Sequence, residues 1–344
     1  MKDGFVKVAA GPPAIRVADC RYNAEQIFTM MREADKQGVR VLCLPELCLT
    51  GATCGDLFLH DTLLDGAREA LTTVLEATRN LDMLTVLGLP VRGTNGRVYN
   101  CAAIIHKGEL IGLVSKTNIP NSQRRWFAAP EGQSSACTLL GQPWVVNNGA
   151  VFSCAGLPQL SIGVEIGEDA WAAQAPCVKL TGRGNATVML HLSATCEIVG
   201  QAQYRRAMLC AQSARLACAY VCAEAGEGES TTDLVFAGHD LIVENGTLLA
   251  ERRYAAGLTV SEVDVDRLCY ERRRMDRGTV SEGEVWNRQF DMKLSHTKLT
   301  RHVNPMPFVP EEEQERKHRC NEILCLAAMG LKKRLEHTRA KKAV

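Results

Sequence analysis

The sequence predicts an α/β protein built as a four-layer α-β-β-α sandwich, followed by a C-terminal linker and helix. Three observations carry this. Short β-type runs alternate with segments of helical apolar spacing, two hairpins feed antiparallel pairs into that alternation, and the last seventy residues or so abandon the pattern. Sheets covered by helices on one face must bury the other face, and packing two such sheets together does so.

The elements follow in order. FVKVA at residues 5–9 is a β-type run, and Ile27, Met30, Met31 and Ala34 give the segment from Ala24 to Gln37 a helical spacing that Gly38 closes. Val39, Val41 and Leu42 lead a second strand into Pro45. A helix is expected from Thr62 to Asn80 and a strand from Met83 to Val91. VYNCAAIIH and ELIGLVSK, joined by Lys107-Gly108, read as a hairpin. After a looser stretch come a strand from Leu160 to Ile166, a helix from Trp171 to Leu180, a strand from Val188 to Leu192, a helix from Gln201 to Ala217 and a strand from Ala219 to Ala223. Asn245-Gly246 is the turn of a second hairpin.

Composition removes several function classes. The 344 residues are 46% hydrophobic and 23% charged, enough for a large core, and the formal net charge of +1 gives no field that would gather nucleic acid or an anionic membrane. No window approaches eighteen apolar residues and the N-terminus lacks a secretory layout, so a cytoplasmic location is expected. Most of the fifteen cysteines sit in apolar runs, as at Cys43, Cys101, Cys210, Cys218 and Cys222, where a thiol behaves as a small hydrophobe. There is no C-x-x-C and no paired Cys/His spacing, so the sequence offers no metal site, and His191 and His239 read as structural.

Candidate chemistry sits where strands run out into loops. Glu46 follows VLCLP, Lys116 closes LIGLVSK, and Gly167, Glu168 and Asp169 follow LSIGVEI. In isolation Glu46 could be a solvated cap, and Glu168 and Asp169 could satisfy backbone donors at a helix start. Taken together, LPELCLTG, GLVSKTNIPN and IGVEIGEDAW resemble the Glu, Lys and Cys motifs of the nitrilase superfamily, in the right order, with Gly167 where the cysteine stands. YRRAMLCAQSAR, AGEGESTTDLVFAGHD and the segment from Pro307 to His337 are similar to the glutaminase domain and connector of glutamine-dependent NAD synthetases.

That resemblance implies a nitrilase-type sandwich and an amidase that supplies ammonia for NAD formation from its deamido precursor. A cysteine thiolate would attack the glutamine carboxamide, Glu46 would serve as general base and acid, and Lys116 would stabilise the oxyanion. Ser122, Glu168, Thr195 and Gln201 fall at positions where the family contacts substrate. Here Ser122 belongs to a shortened loop that has lost its aromatic and acidic groups, Gln201 replaces a basic residue, and Ala52 and Ala170 replace larger side chains. Gly167 has nothing to acylate. Three readings therefore stay open: an impaired amidase, a scaffolding or oligomerisation pseudoenzyme, and a slow hydrolase using a water held by Glu46 and Lys116.

The expected domains are a nitrilase-like glutaminase domain over 1–270, a linker over 271–310 and a helical start of a synthetase domain over 311–344. The charged run from Glu271 to Arg277 reads as a solvated or subunit-facing patch, with no nucleic-acid role. No cofactor is expected for these residues. ATP and magnesium belong to a synthetase domain whose SGGxDS-type loop does not occur here, nor does a G-x-x-x-x-G-K-[ST] loop. The expected partners are glutamine or another small amide, a separate synthetase domain and further copies of the chain.

Overall fold

The computed structural model describes residues 1–275 and 283–342, so residues 276 and 277 of the charged run lie outside it, as do 343 and 344. It divides into two units, residues 1–300 and 301–344.

In the first unit, eight strands form one sheet. They are β1 (Phe5–Ala10), β2 (Val41–Cys43), β3 (Leu84–Arg92), β4 (Val98–His106), β5 (Glu109–Ser115), β6 (Ser134–Leu139), β7 (Gln142–Asn147) and β14 (Thr259–Asp264), in spatial order β14-β1-β2-β3-β4-β5-β7-β6. Seven form the other: β8 (Ala150–Cys154), β9 (Leu157–Ile166), β10 (Val188–Ser193), β11 (Ala219–Glu224), β12 (Asp240–Glu244), β13 (Thr247–Arg252) and β15 (Trp286–Phe290), in the order β13-β12-β11-β10-β9-β8-β15. The strands that lead to the site, β1-β2-β3 and β9-β10-β11, pair in parallel, whereas the hairpins pair antiparallel.

Alternation along the strands separates the layers. Val6, Val8 and Ala10 of β1 join Leu190 and Leu192 of β10 in the core between the sheets, while Ala9 turns the other way, towards Ile27 and Met31 of α1 (Cys20–Lys36) and Leu71 and Val74 of α2 (Asp61–Ala77). On the far side Met189, Tyr220 and Cys222 pack with Leu180 of α3 (Pro176–Gly182) and Leu209 of α4 (Gln201–Leu216). The result is the expected four-layer α-β-β-α sandwich.

Both hairpin turns use left-handed backbone, Lys107-Gly108 at φ 49° and 75° and Asn245-Gly246 at φ 45° and 85°. The helix expected from Trp171 is broken: a 3-10 turn spans Gly167–Trp171, and α3 starts only at Pro176, whose ring cannot continue a preceding helix. The looser stretch holds three unpredicted strands, β6 to β8. Within 271–310, α5 (Val265–Arg274) runs to Arg274 and Trp286–Phe290 adds a parallel edge strand to β8. All fifteen cysteines are free thiols, Cys320 and Cys325 exposed.

The second unit holds α6 (Glu313–Thr338), with Glu313 and Glu315 in its first turn and no buried side chain among its residues. None of the described helices is long and apolar enough to cross a membrane.

Candidate active site

Glu46 is placed by the end of β2 and by an unusually close strand crossing. Leu47 is left-handed (φ 54°), and an added Cβ on Gly88 of β3 would come within 2.1 Å of the Leu47 nitrogen. Only glycine lets β3 pass beneath the Pro45–Leu47 backbone. Glu46 is 1% exposed, so it is no solvated cap. Its Oε1 accepts from Asn100 Nδ2 (2.6 Å) and Lys116 Nζ (2.8 Å), and its Oε2 accepts from the Ala194 backbone N–H (3.2 Å).

Lys116 is fully buried just beyond β5, where its N–H donates to the Asn100 carbonyl. The ammonium donates to Glu46, to Gln123 Oε1 (3.0 Å) and to Glu168. Burial alone would discharge it, but the two carboxylates outweigh that and hold its pKa above the ordinary lysine value. Glu168 is partly exposed and its pKa is raised, by burial first and by the Glu46 charge second, against the lowering pull of Lys116.

Gly167 faces this pair. It is buried at φ 54°, and a Cβ built on it would lie 2.5 Å from Lys116 Nζ and 2.6 Å from Glu46 Oε2. The ammonium and the carboxylate therefore occupy the space a side chain at 167 would need. The three strand ends converge, with an ion pair where a side chain at 167 would stand.

Two further carboxylates fix the surrounding loops. Asp169 is buried and accepts from the backbone N–H groups of Thr117 and Asn118, from Asn118 Nδ2 and from the Ile166 N–H. It ties the loop after Lys116 to the loop after β9. Glu229 accepts from the N–H groups of Ala52 (2.7 Å) and Thr53 (3.2 Å) and from Thr53 Oγ1, so the GESTTD segment anchors the loop after Glu46.

The remaining predicted residues are less central. Ser122 is exposed, and it is the next residue, Gln123, that reaches Lys116. Thr195 is half-buried, its N–H donating to Glu224 Oε2 and its hydroxyl paired with Ser193 Oγ at 2.9 Å. Gln201 opens α4. Below it Arg205, 1% exposed, pairs with Glu224 (2.9 Å) and Glu197 (3.1 Å). Asn100, Gln123 and Arg205 escaped the sequence reading. An Asn and a Lys within a buried apolar hairpin, at 100 and 116, were the available signal for the first.

With the geometry in place, likeness to known proteins can be added. The carbon-nitrogen hydrolase family profile matches residues 7–274. The chain belongs to the carbon-nitrogen hydrolase family. This carbon-nitrogen hydrolase chain is 33% identical over 348 residues to the glutamine-dependent NAD(+) synthetase of Mycobacterium tuberculosis, covering 96% of the chain and 51% of that protein. It is 27% identical to the Thermotoga maritima protein of the same name, over 86% of the chain and 49% of that protein. The chain thus spans about half the length of the curated relatives it matches. The solved structure of a glutamine-dependent NAD(+) synthetase from Cytophaga hutchinsonii superposes with a TM-score of 0.65 at 26% identity, over 75% of this chain and 42% of that one. A cysteine-to-alanine mutant of a Nesterenkonia amidase from the nitrilase superfamily shares the fold, with a TM-score of 0.60 at 19% identity over 78% of this chain and 94% of that one.

Proposed function

We propose that this chain is the glutamine-amidase type of domain found in NAD synthetases, with the covalent route closed at Gly167. Its lineage role would be to release ammonia from glutamine or another small amide for a synthetase domain. The single observation that carries the reading is the ion pair of Glu46 and Lys116 standing within 2.6 Å of where a Cβ at 167 would be. The general base and the oxyanion partner are kept while the group they would serve is missing. Lys116 is charged, as an oxyanion partner must be, and Glu46 lies beside it at the end of its strand.

The test is glutamate release from glutamine by the purified chain. No release above the uncatalysed background and no covalent acyl adduct by mass spectrometry are expected. Turnover matching a thiol-bearing relative overturns the proposal. Among the described residues Glu46 Oε2 carries only the Ala194 hydrogen bond, which favours a second reading in which it activates a water directly. That reading requires slow release that disappears in Glu46→Gln, and release unchanged in that variant sinks it.

A further inference from the structure

Behind the pocket floor, β9, β10 and β11 run side by side in parallel. Their register sets Glu165 beside His191 and His191 beside Cys222, while Ser193 pairs with Glu224. Leu190 and Leu192 of β10 point into the inter-sheet core, so the alternate residue His191 faces the α3/α4 layer, as Tyr220 and Cys222 of β11 do. One donor atom each from His191, Cys222 and Glu224 lies within 4.8 Å of the others, and all three residues are buried. Among the described residues His191 Nδ1 has no hydrogen-bond partner, and Glu165 Oε1 is 3.8 Å away. A buried polar atom left unmet costs about 1–3 kcal/mol, so its persistence asks for an explanation.

We propose that His191, Cys222 and Glu224 bind one divalent cation of borderline softness, with zinc as the type. The donors select the class: imidazole, thiolate and carboxylate together are the mixture zinc takes, whereas magnesium and calcium prefer oxygen alone. Zinc bonds of about 2.0–2.3 Å would draw the donors inwards by roughly an ångström. Burial holds His191 neutral, its pKa pushed down to about 3, and a neutral imidazole is the ligating form. Burial pushes the Cys222 thiol well up, so the free site keeps a proton that a bound cation would expel.

Two cations oppose the site: Arg205, its Nε 2.9 Å from Glu224 Oε1, and Lys116, which acts on His191 but is itself paired with Glu46 and Glu168. The Arg205 guanidinium also pairs with Glu197. The Cys222 thiolate, Glu224 and Glu197 supply three negative charges against one on Arg205 and two on the cation. Arg253, which holds the other Glu197 oxygen, is partly exposed and so is screened by water. Sequence spacing could not show this site, because α4 separates His191 from Cys222 and strand pairing alone joins them.

The full-length protein, reduced and stripped with chelator, is titrated with cobalt(II). One equivalent per chain and a thiolate-to-cobalt charge-transfer band are expected, with zinc abolishing the band. The band should survive in a Cys320→Ser/Cys325→Ser double variant, which removes the exposed thiols. It should vanish in Cys222→Ser, and His191→Asn should weaken binding at least about tenfold. A band that follows the exposed thiols, or none at all, overturns the proposal. Should the core variants misfold, an anomalous difference map at the zinc edge of zinc-soaked crystals decides: a peak between β10 and β11 supports the site, and its absence there refutes it.

Discussion

Glu168 makes the balance of forces at single residues testable. Its carboxyl pKa is raised above the ordinary value of 4.5 because burial and Glu46 outweigh Lys116. A carboxyl raised in the folded state binds its proton more tightly there than in the unfolded chain, so its stabilising effect is present below pH 4.5 and is lost as pH rises through the folded pKa. Melting temperature against pH should therefore fall more steeply above pH 4.5 for the wild type than for Glu168→Gln. Parallel curves would show an unshifted carboxyl, and a wild type that gains on the variant as pH rises would show that the Lys116 ion pair dominates instead. A second residue-scale expectation concerns Gly167→Cys. The new Cβ must displace Lys116 Nζ and Glu46 Oε2 and sit at a φ of 54°, a strain of order 1–3 kcal/mol for a side-chain-bearing residue. The variant should melt below the wild type, and a rise in melting temperature would contradict the ion-pair geometry.

Elements explain both why the site was legible and where reading stopped. Glu46, Lys116 and Gly167 could be found because each follows a strand whose apolar run is plain in the sequence. Asn100 could not, since its bond to Glu46 depends on how β3, β4 and β5 pair. The strands β6 and β7 were missed although Leu140-Gly141 is a two-residue left-handed turn, at φ 56° and 72°. Only Val146, Leu139 and Cys137 among their apolar residues are well buried, and their place at and next to the sheet edge leaves polar residues on both faces. β15 gave no signal for the same reason, four of its five residues being exposed. The strand crossing at Gly88 gives this scale its prediction. Gly88→Ala would drive a methyl into the Pro45–Leu47 backbone, which no side-chain rotation relieves, and should cost about 3 kcal/mol. A denaturant midpoint matching the wild type would disprove the close approach.

Over the whole molecule, the three apolar clusters draw on residues 1–294 alone. A chain ending at Thr300 should therefore melt cooperatively, followed by circular dichroism, and a broad non-cooperative transition would show that the first unit lacks a core of its own. Fold class, layer order and the convergence of three loops were all legible, because they depend on periodicity and strand ends. The buried group of His191, Cys222 and Glu224 was not, because it exists only through register between strands distant in sequence.

Gly167 carries a genetic consequence as well. Two of the four glycine codons lie a single base change from a cysteine codon, so the mutational step to a thiol can be short. The protein resists that step, because the ends of the Lys116 and Glu46 side chains stand where the new side chain would go and the backbone there suits glycine best. A cysteine arriving there has to swing those two side-chain ends aside while keeping a left-handed backbone, so a one-base change in the gene becomes a rearrangement of the ion pair in the protein.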